Sequence, residues 1–326
     1  MCSWHVVSSL VIALVAFLAP RPVEAQCLAT HGSIVAIGCE DLAISRDDGA
    51  TFTHTGLRVV AVTVTDDERV FVANDAEPPS LFEVGAGHVA LPLTEVAALA
   101  SVGRSVVVVG SREPSDPEEI TRTVVLVRGA DGTVRELGSL GAWSSATRVS
   151  ATGTERAPRV EIVMAFGLSC WGTVQVRRAI VDARGAQIAD LSNDMECAYH
   201  GEGCGGFFDV EIGAHGTAYA VRAPSDDGTE RPGPLLLVRP TERTTPTTLD
   251  VPSGATLSVA HNGQLTLALL DGVLHRLEGT RATSLGGQID RDARLVHVDD
   301  RGRPYAESAQ GLARFSRGAG WSPIRP

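Results

Sequence analysis

The chain has 326 residues and a formal net charge of −11 at pH 7. This acidic balance argues against nucleic acid as a partner, because the phosphates would be repelled at long range. Beyond the amino terminus no run is long and apolar enough to span a bilayer, so no transmembrane anchor is expected.

Residues 1–25 are predicted to be a secretory signal peptide. An apolar run from Val6 to Ala19 precedes Val23-Glu24-Ala25, a small-residue pattern suited to cleavage near Ala25. Lipid attachment at Cys27 is the alternative, but Gln26 stands where that site prefers a small residue. We therefore expect a secreted or periplasmic protein whose mature domain is 26–326.

Short runs rich in valine or leucine recur along the mature chain and predict β-strands. Examples are Ser33–Ile37, Val59–Val64, Arg69–Ala73, Val106–Val109, Thr123–Val127, Val160–Met164 and Leu235–Val238. Pairs that tolerate positive φ in tight hairpins lie between such runs. They are Asp131-Gly132, Asp227-Gly228, Asn262-Gly263 and Asp271-Gly272. No run shows convincing helical periodicity beyond the signal, so the predicted class is all-β.

The strands and turns repeat with a period of about 43 residues, which is typical of four-stranded propeller blades. The units are 28–57, 58–94, 95–141, 142–205, 206–252, 253–287 and 288–326. A ring of such sheets buries faces that one meander leaves exposed and protects the sheet edges. The prediction is a single β-propeller of about seven four-stranded blades. Six or eight blades, or two β-sandwich domains divided near residue 203, are the alternatives.

Five cysteines follow the predicted cleavage point: Cys27, Cys39, Cys170, Cys197 and Cys204. In an oxidising compartment we expect two disulfides and one remaining thiol. The expected pairs are Cys27–Cys39 and Cys197–Cys204, and Cys170 could replace either member of the second pair. A zinc site from Cys170, Cys197, His200 and Cys204 has suitable ligand types, but export favours disulfides. No metal or cofactor is therefore predicted.

The stretch Ser45-Arg46-Asp47-Asp48-Gly49-Ala50-Thr51-Phe52 fits the pattern Ser-x-Asp-x-Gly-x-Thr-aromatic. It resembles the Asp-box, the turn of bacterial neuraminidase-type repeats found in many propellers. Asp47 is expected to accept backbone N–H bonds, Gly49 to permit the tight turn, and Ser45 and Thr51 to supply side-chain bonds. Phe52 is expected to turn inward and pin the hairpin on its blade.

A weaker copy of this motif lies near the carboxyl terminus, at Phe315-Ser316-Arg317-Gly318-Ala319-Gly320-Trp321. It keeps the serine and a glycine but lacks the aspartate, and its aromatic residue comes two positions early. The resemblance implies a structural role at the blade rim, away from any active centre.

Sialidases are the enzymes that the resemblance suggests first, and the chain departs from their pattern. Arg112, Arg156 and Arg222 begin Arg-x-Pro sequences, but none follows an aromatic residue, and Arg-Ile-Pro does not occur. We therefore expect a non-sialidase member of the Asp-box propeller superfamily.

Acidic groups occur at predicted turns, where solvated turn caps are their ordinary role. They are Asp66-Asp67-Glu68, Asp226-Asp227 and Asp299-Asp300. Four aromatic residues, expected to pack in the core, could instead line a sugar-binding surface: Trp143, Trp171, Phe207 and Phe208.

No catalytic motif appears, and we name no catalytic residue. The preferred function is a monomeric, non-enzymatic binding or scaffold module for an unknown protein or glycan. The alternative is a secreted glycan hydrolase with carboxylates at the propeller centre.

Overall fold

The computed structural model describes most of the chain after the predicted signal segment. The described ranges are 27–113, 121–141, 146–168, 173–190, 207–212, 218–222, 235–238, 247–249, 256–279 and 281–326. Across these ranges no helix has both the length and the apolar character needed to cross a membrane. The predicted signal peptide and Cys170, Cys197, His200 and Cys204 lie outside them.

The described residues form seven antiparallel sheets, each of four strands consecutive in the chain. The first three sheets contain β1 Leu28–His31, β2 Ile34–Ile37, β3 Ala43–Ser45 and β4 Thr53–His54; β5 Ala61–Val64, β6 Val70–Ala73, β7 Ser80–Glu83 and β8 His88–Ala90; and β9 Glu95–Val102, β10 Ser105–Arg112, β11 Arg122–Arg128 and β12 Val134–Leu140. The next two contain β13 Ala146–Gly153, β14 Pro158–Leu168, β15 Thr173–Asp182 and β16 Gly185–Asp190; and β17 Phe207–Ile212, β18 Ala218–Arg222, β19 Leu235–Val238 and β20 Thr247–Leu249. The last two contain β21 Leu257–His261, β22 Thr266–Leu270, β23 Val273–Glu278 and β24 Arg281–Gln288; and β25 Arg294–Val298, β26 Pro304–Ser308, β27 Gly311–Ser316 and β28 Gly320–Pro323.

The sheets are the blades of a β-propeller. Strand β1 contacts β5, β5 contacts β9, β9 contacts β13, β17 contacts β21, and β21 contacts β25, so the first strand of each sheet faces the ring centre. Each predicted unit contains one sheet, although β24 extends one residue past its predicted end. The predicted all-β propeller fold is confirmed.

The hydrophobic core lies between the blades. All of β6 is buried, and Val106–Val109 of β10 are fully buried, because neighbouring blades cover both faces of these strands. This explains why the inner strands are continuous apolar runs instead of alternating apolar and polar residues. The side chains of Val107 and Val125 pack with Val160 and Ile162 of the next blade.

A positive φ is required in the predicted hairpins that the structure describes. Asp271 and Gly272, with φ of 47° and 77°, form the two-residue turn between β22 and β23. A Cβ at residue 272 would collide with the Ile289 carbonyl, so glycine is needed there for space as well as conformation. The predicted pair Asp227-Gly228 lies outside the described residues.

The predicted disulfide Cys27–Cys39 is confirmed. It joins the residue before β1 to the loop between β2 and β3, and the Cys27 side chain is buried. The backbone N–H of Gly38 donates to the Cys27 carbonyl at 2.9 Å, and that of Val59 donates to the Cys39 carbonyl at 2.8 Å. The bridge therefore anchors the first strand within the first blade and also beside the start of the second blade.

Candidate functional site

The turn between β3 and β4, residues Ser45–Phe52, is held together by the Asp47 carboxylate. Its Oδ1 accepts from the Ser45 hydroxyl at 2.7 Å and from the Thr51 backbone N–H at 2.9 Å. Its Oδ2 accepts from the Thr51 hydroxyl at 2.6 Å. Gly49, with φ of 84°, donates its N–H to the Ser45 hydroxyl oxygen at 2.8 Å. Four of the five motif residues thus form one closed hydrogen-bond network.

The fifth motif residue, Phe52, is half-buried and packs where the first blade meets the last. Its neighbours are Leu28 and Val35 of the first blade and Tyr305 of the last, which is fully buried. The weaker copy at 315–321 lies between β27 and β28, the equivalent position of the last blade. There the rings of Phe315 and Trp321 pack with centroids 5.4 Å apart.

Asp47 gives the turn a defined acid sensitivity. The hydroxyl of Thr51, its backbone N–H and the Ser45 hydroxyl lower the pKa of Asp47 from 3.8 to about 2. A depressed carboxyl pKa stabilises the fold above the unfolded value and loses that contribution as pH falls through the folded value. The charged-state contribution of Asp47 is therefore complete above about pH 4 and disappears towards about pH 2.

We predict that Asp47→Asn lowers the melting temperature at neutral pH, and that the deficit shrinks as pH falls from 4 to 2. Thermal melts of both proteins across this range measure the deficit. Asp75→Asn, at an exposed position outside the turn, serves as the control. A deficit that stays constant down to pH 2 would contradict the assignment.

Asp48, at an undefined position of the motif, connects the first blade to the last. Its φ of 62° places the side chain opposite Arg303, whose two terminal nitrogens donate to the two carboxylate oxygens at 2.6 and 2.7 Å. Arg314 donates to the Asp48 backbone carbonyl at 2.8 Å. The hydrogen bonds from Arg303 lower the pKa of Asp48, so the carboxylate is ionised at neutral pH.

Asp299 holds Arg303 from the other side. It lies in the turn between β25 and β26, and its side chain is 0% exposed. Its Oδ2 accepts from Arg303 Nε at 2.6 Å, and its Oδ1 accepts the backbone N–H groups of Arg301 and Arg303 at 3.0 and 2.7 Å. The hydrogen bonds that Arg303 donates to the carboxylates of Asp48 and Asp299 raise the pKa of Arg303. We call Asp48, Asp299, Arg303 and Arg314 the seam clasp.

Two further hydrogen bonds cross the same seam between the last blade and the first. The Thr30 hydroxyl lies 2.7 Å from His297 Nε2, joining strands β1 and β25. The backbone N–H of Gly32 donates to Asp300 Oδ2 at 3.0 Å. Because each described sheet consists of consecutive strands, these side-chain bonds and the Tyr305 packing join the last blade to the first.

The turns after the first and third strands form one end of the ring, which we call the turn face. On it His31 Nδ1 lies 3.9 Å from Asp66 and 3.8 Å from Asp300, so two blades bring carboxylates to one imidazole. Asp66 and Glu68 are exposed in the β5–β6 turn. The β5–β6 and β25–β26 turns therefore bring exposed carboxylates close to His31.

Six carboxyl groups of the described residues are stabilised in their charged form. Among the described residues, every carboxyl group with a resolved shift has a lowered pKa: Asp47, Asp48, Asp67, Asp131, Glu155 and Asp182. A general acid for glycoside cleavage needs a raised pKa. Within the same ranges, no group of three or more His, Cys, Asp or Glu side chains is arranged to hold a metal ion.

Several residues singled out in the sequence lie outside the described residues. They are Cys170, Cys197, Cys204, His200, Asp226, Asp227, Trp143 and Trp171. Phe207 and Phe208 lie in β17, which the structure describes as a strand only. The predicted pair Cys197–Cys204, the zinc alternative and the sugar-binding surface therefore stay predictions.

The seam clasp does not follow from local motifs. Asp48 and Arg303 are 255 residues apart, and no spacing rule links them. The one local signal is the turn Asp299-Asp300-Arg301-Gly302-Arg303, where an aspartate caps the backbone of a tight turn.

Comparison with known proteins identifies the fold and nothing finer. No family model and no curated protein matches the chain. The Pyrococcus horikoshii acylaminoacyl peptidase is 10% identical with a TM-score of 0.52, over 92% of this chain and 51% of the peptidase. The β-propeller domain of the trilobed protease from Pyrococcus furiosus, described as having an open velcro topology, has the same identity and TM-score over 92% and 94% of the two chains.

A third similar structure is YCF48 bound to D1 peptide. It is 9% identical, with a TM-score of 0.51 over 88% of this chain and 89% of YCF48. This chain spans about half the length of the acylaminoacyl peptidase that it matches. At these identities the three likenesses show a β-propeller fold.

Proposed function

We propose that the chain is an exported, non-enzymatic propeller that serves as a binding or scaffold module for a protein partner. Export rests on the signal-like segment 1–25, with cleavage near Ala25 releasing a 26–326 propeller domain. The turn Ser45–Phe52 is proposed to be an Asp-box, supported by the closed Asp47 network.

The observation that carries the binding proposal is the pair of exposed carboxylates near His31 on the turn face. Asp66 and Asp300 have side chains 62% and 38% exposed, and both lie on hairpins fixed by hydrogen bonds to neighbouring blades. The Asp66 backbone N–H donates to the Gly103 carbonyl at 3.0 Å, and Asp300 accepts from Gly32. Exposed carboxylates on hydrogen-bonded hairpins at one end of a ring fit an arginine- or lysine-rich segment of a partner.

A protein partner is favoured over a glycan by the aromatic residues. Sugar-binding surfaces generally present an exposed aromatic ring to the ligand. Among the aromatic residues whose exposure is described, none is exposed: Phe52, Phe71, Phe82, Tyr305, Phe315 and Trp321. The structure of YCF48 with D1 peptide offers a precedent for a peptide ligand on this fold.

Arginine-rich and glutamate-rich synthetic peptides of equal length, titrated calorimetrically into the mature protein, test the proposal. We expect only the arginine-rich peptide to bind, with affinity falling as salt rises. Asp66→Asn with Glu68→Gln should weaken binding roughly tenfold, since each exposed charge pair contributes up to about 1 kcal/mol. Asp75→Asn, in the loop at the opposite end of the blade, is the matched control.

Equal binding of both peptides, or equal loss with the Asp75 control, would overturn the charge-based proposal. A panel of chromogenic glycosides and polysaccharides tests the hydrolase alternative in parallel. Turnover removed by a carboxylate substitution on the turn face would replace the binding proposal with an enzymatic one.

A further inference from the structure

We propose that Asn262-Gly263 is a self-modification site, at which the folded protein accelerates deamidation of its own asparagine. The pair lies in the turn between β21 and β22, on the turn face beside the last blade. Deamidation requires a backbone nitrogen as nucleophile, a base to take its proton, and a polarised side-chain amide. His261, Asn262 and Gly263 supply all three within one turn.

The nucleophile is the backbone nitrogen of Gly263. This residue is exposed, has φ of 87°, and has no side chain to shield its nitrogen. A Cβ built there would meet no atom within 4 Å, so space around the residue is open. The Gly263 N–H donates to His261 Nδ1 at 3.2 Å. An imidazole nitrogen that accepts this bond is positioned as the general base.

The electrophile is the side-chain amide of Asn262. Its Oδ1 accepts two backbone N–H bonds, from Gln264 at 3.1 Å and from Leu265 at 2.9 Å. Donors aimed at the oxygen that becomes negative in the tetrahedral intermediate stabilise that intermediate. The Nδ2 group donates to the Asp299 carbonyl at 2.6 Å, which fixes the leaving group.

The turn and one water molecule supply every atom that the reaction needs. His261 takes the proton of the Gly263 nitrogen, which forms a bond to Asn262 Cγ. The Cγ–Nδ2 bond then breaks, and ammonia leaves with the proton returned by the imidazole. The resulting succinimide adds water across one of its carbonyl groups and opens to aspartate or isoaspartate. No oxidant, reductant or cofactor takes part.

The product would alter the contact between the sixth and seventh blades. A carboxylate at residue 262 cannot donate to the Asp299 carbonyl, and it would add negative charge beside Asp300. Because Asp299 also holds Arg303, the modification would act on the residue that anchors the seam clasp.

The test is the rate of amide-to-acid conversion in the intact protein at neutral pH, followed by mass spectrometry. Trypsin releases residues 244–276, in which Asn262 is the only asparagine. The reference is the same protein incubated unfolded in denaturant at the same pH and temperature. Asn74, followed by Asp75 and accepting from the Ser80 N–H at 2.8 Å, is the internal control.

We expect Asn262 to convert roughly tenfold faster or more in the folded than in the unfolded protein, because a positioned base contributes at least this much. His261→Gln should remove most of the acceleration, while Asn74 shows none. A folded rate equal to or below the unfolded rate would overturn the proposal without recourse to any variant. If folded His261→Gln deamidates as fast as the parent protein, the imidazole is not the base and the proposed mechanism is wrong.

Discussion

Replacement of Arg303 by alanine is expected to lower the free energy of unfolding by about 3–5 kcal/mol. The guanidinium is shared between Asp48 and the fully buried Asp299, so its removal leaves a buried carboxylate without its charge partner. Denaturant unfolding of the purified protein, with the midpoint and slope fitted together, measures the loss.

Arg301 provides the matched control for this experiment. It belongs to the same turn, its side chain is 51% exposed, and its Nη1 lies 3.8 Å from Asp48 Oδ1. Arg301→Ala should cost less than about 1 kcal/mol, the usual range for an exposed ion pair. Equal losses for the two variants would mean that the buried Asp299 carboxylate does not determine how much stability is lost.

The second large effect is expected at the first strand. Replacing both Cys27 and Cys39 by serine should destabilise the protein by about 3 kcal/mol, the loop-entropy contribution expected of a bridge this short. The bridge spans 12 residues and anchors β1, which supplies the first blade's side of the seam. Thermal and denaturant unfolding of the double variant under oxidising conditions measure the loss.

Serine also places a polar hydroxyl at the buried position of Cys27, which has a cost of its own. A variant with alanine at both positions therefore belongs in the same series. If the double alanine variant is as stable as the parent protein, the bridge contributes nothing to the fold. Loss in both pairs, with the native sheets retained by circular dichroism, supports the predicted role.

The fold could be predicted from the sequence because its signals are local. The hairpin pair Asp271-Gly272 is needed for its positive φ, and the buried run Val106–Val109 reflects coverage on both sheet faces. Short apolar strands separated by turns recur in every blade, so their period predicts the architecture. The turn Ser45–Phe52 can also be recognised from the sequence, because its hydrogen-bond partners all lie within four residues of each other.

The closure of the ring could not be predicted because its partners are distant in the chain. Arg303 contacts Asp48 only when the last blade lies beside the first, and the motif that contains Asp48 leaves the residue at that position undefined. The same holds for His31, which gains its two carboxylate neighbours from different blades. Long-range pairs of this kind depend on blade number and curvature, which a single sequence leaves open.

The seam clasp explains why the best-formed turn, Ser45–Phe52, lies in the first blade. Asp47 closes the Ser45–Phe52 turn, and the closed turn presents Asp48 with a φ of 62° to the two arginines of the last blade. The turn between β27 and β28 lacks that aspartate and is held by the Phe315–Trp321 packing. A complete network is thus found where the chain's two ends must be joined.

Amide hydrogen exchange of Arg303→Ala tests most directly whether the clasp closes the ring. We predict that protection falls first in β1 and β26, on the two sides of the seam, while β10 in the third blade keeps its protection. Uniform loss across all blades, or unchanged protection in β1 and β26, would contradict a ring closed by Asp48, Arg303 and Asp299.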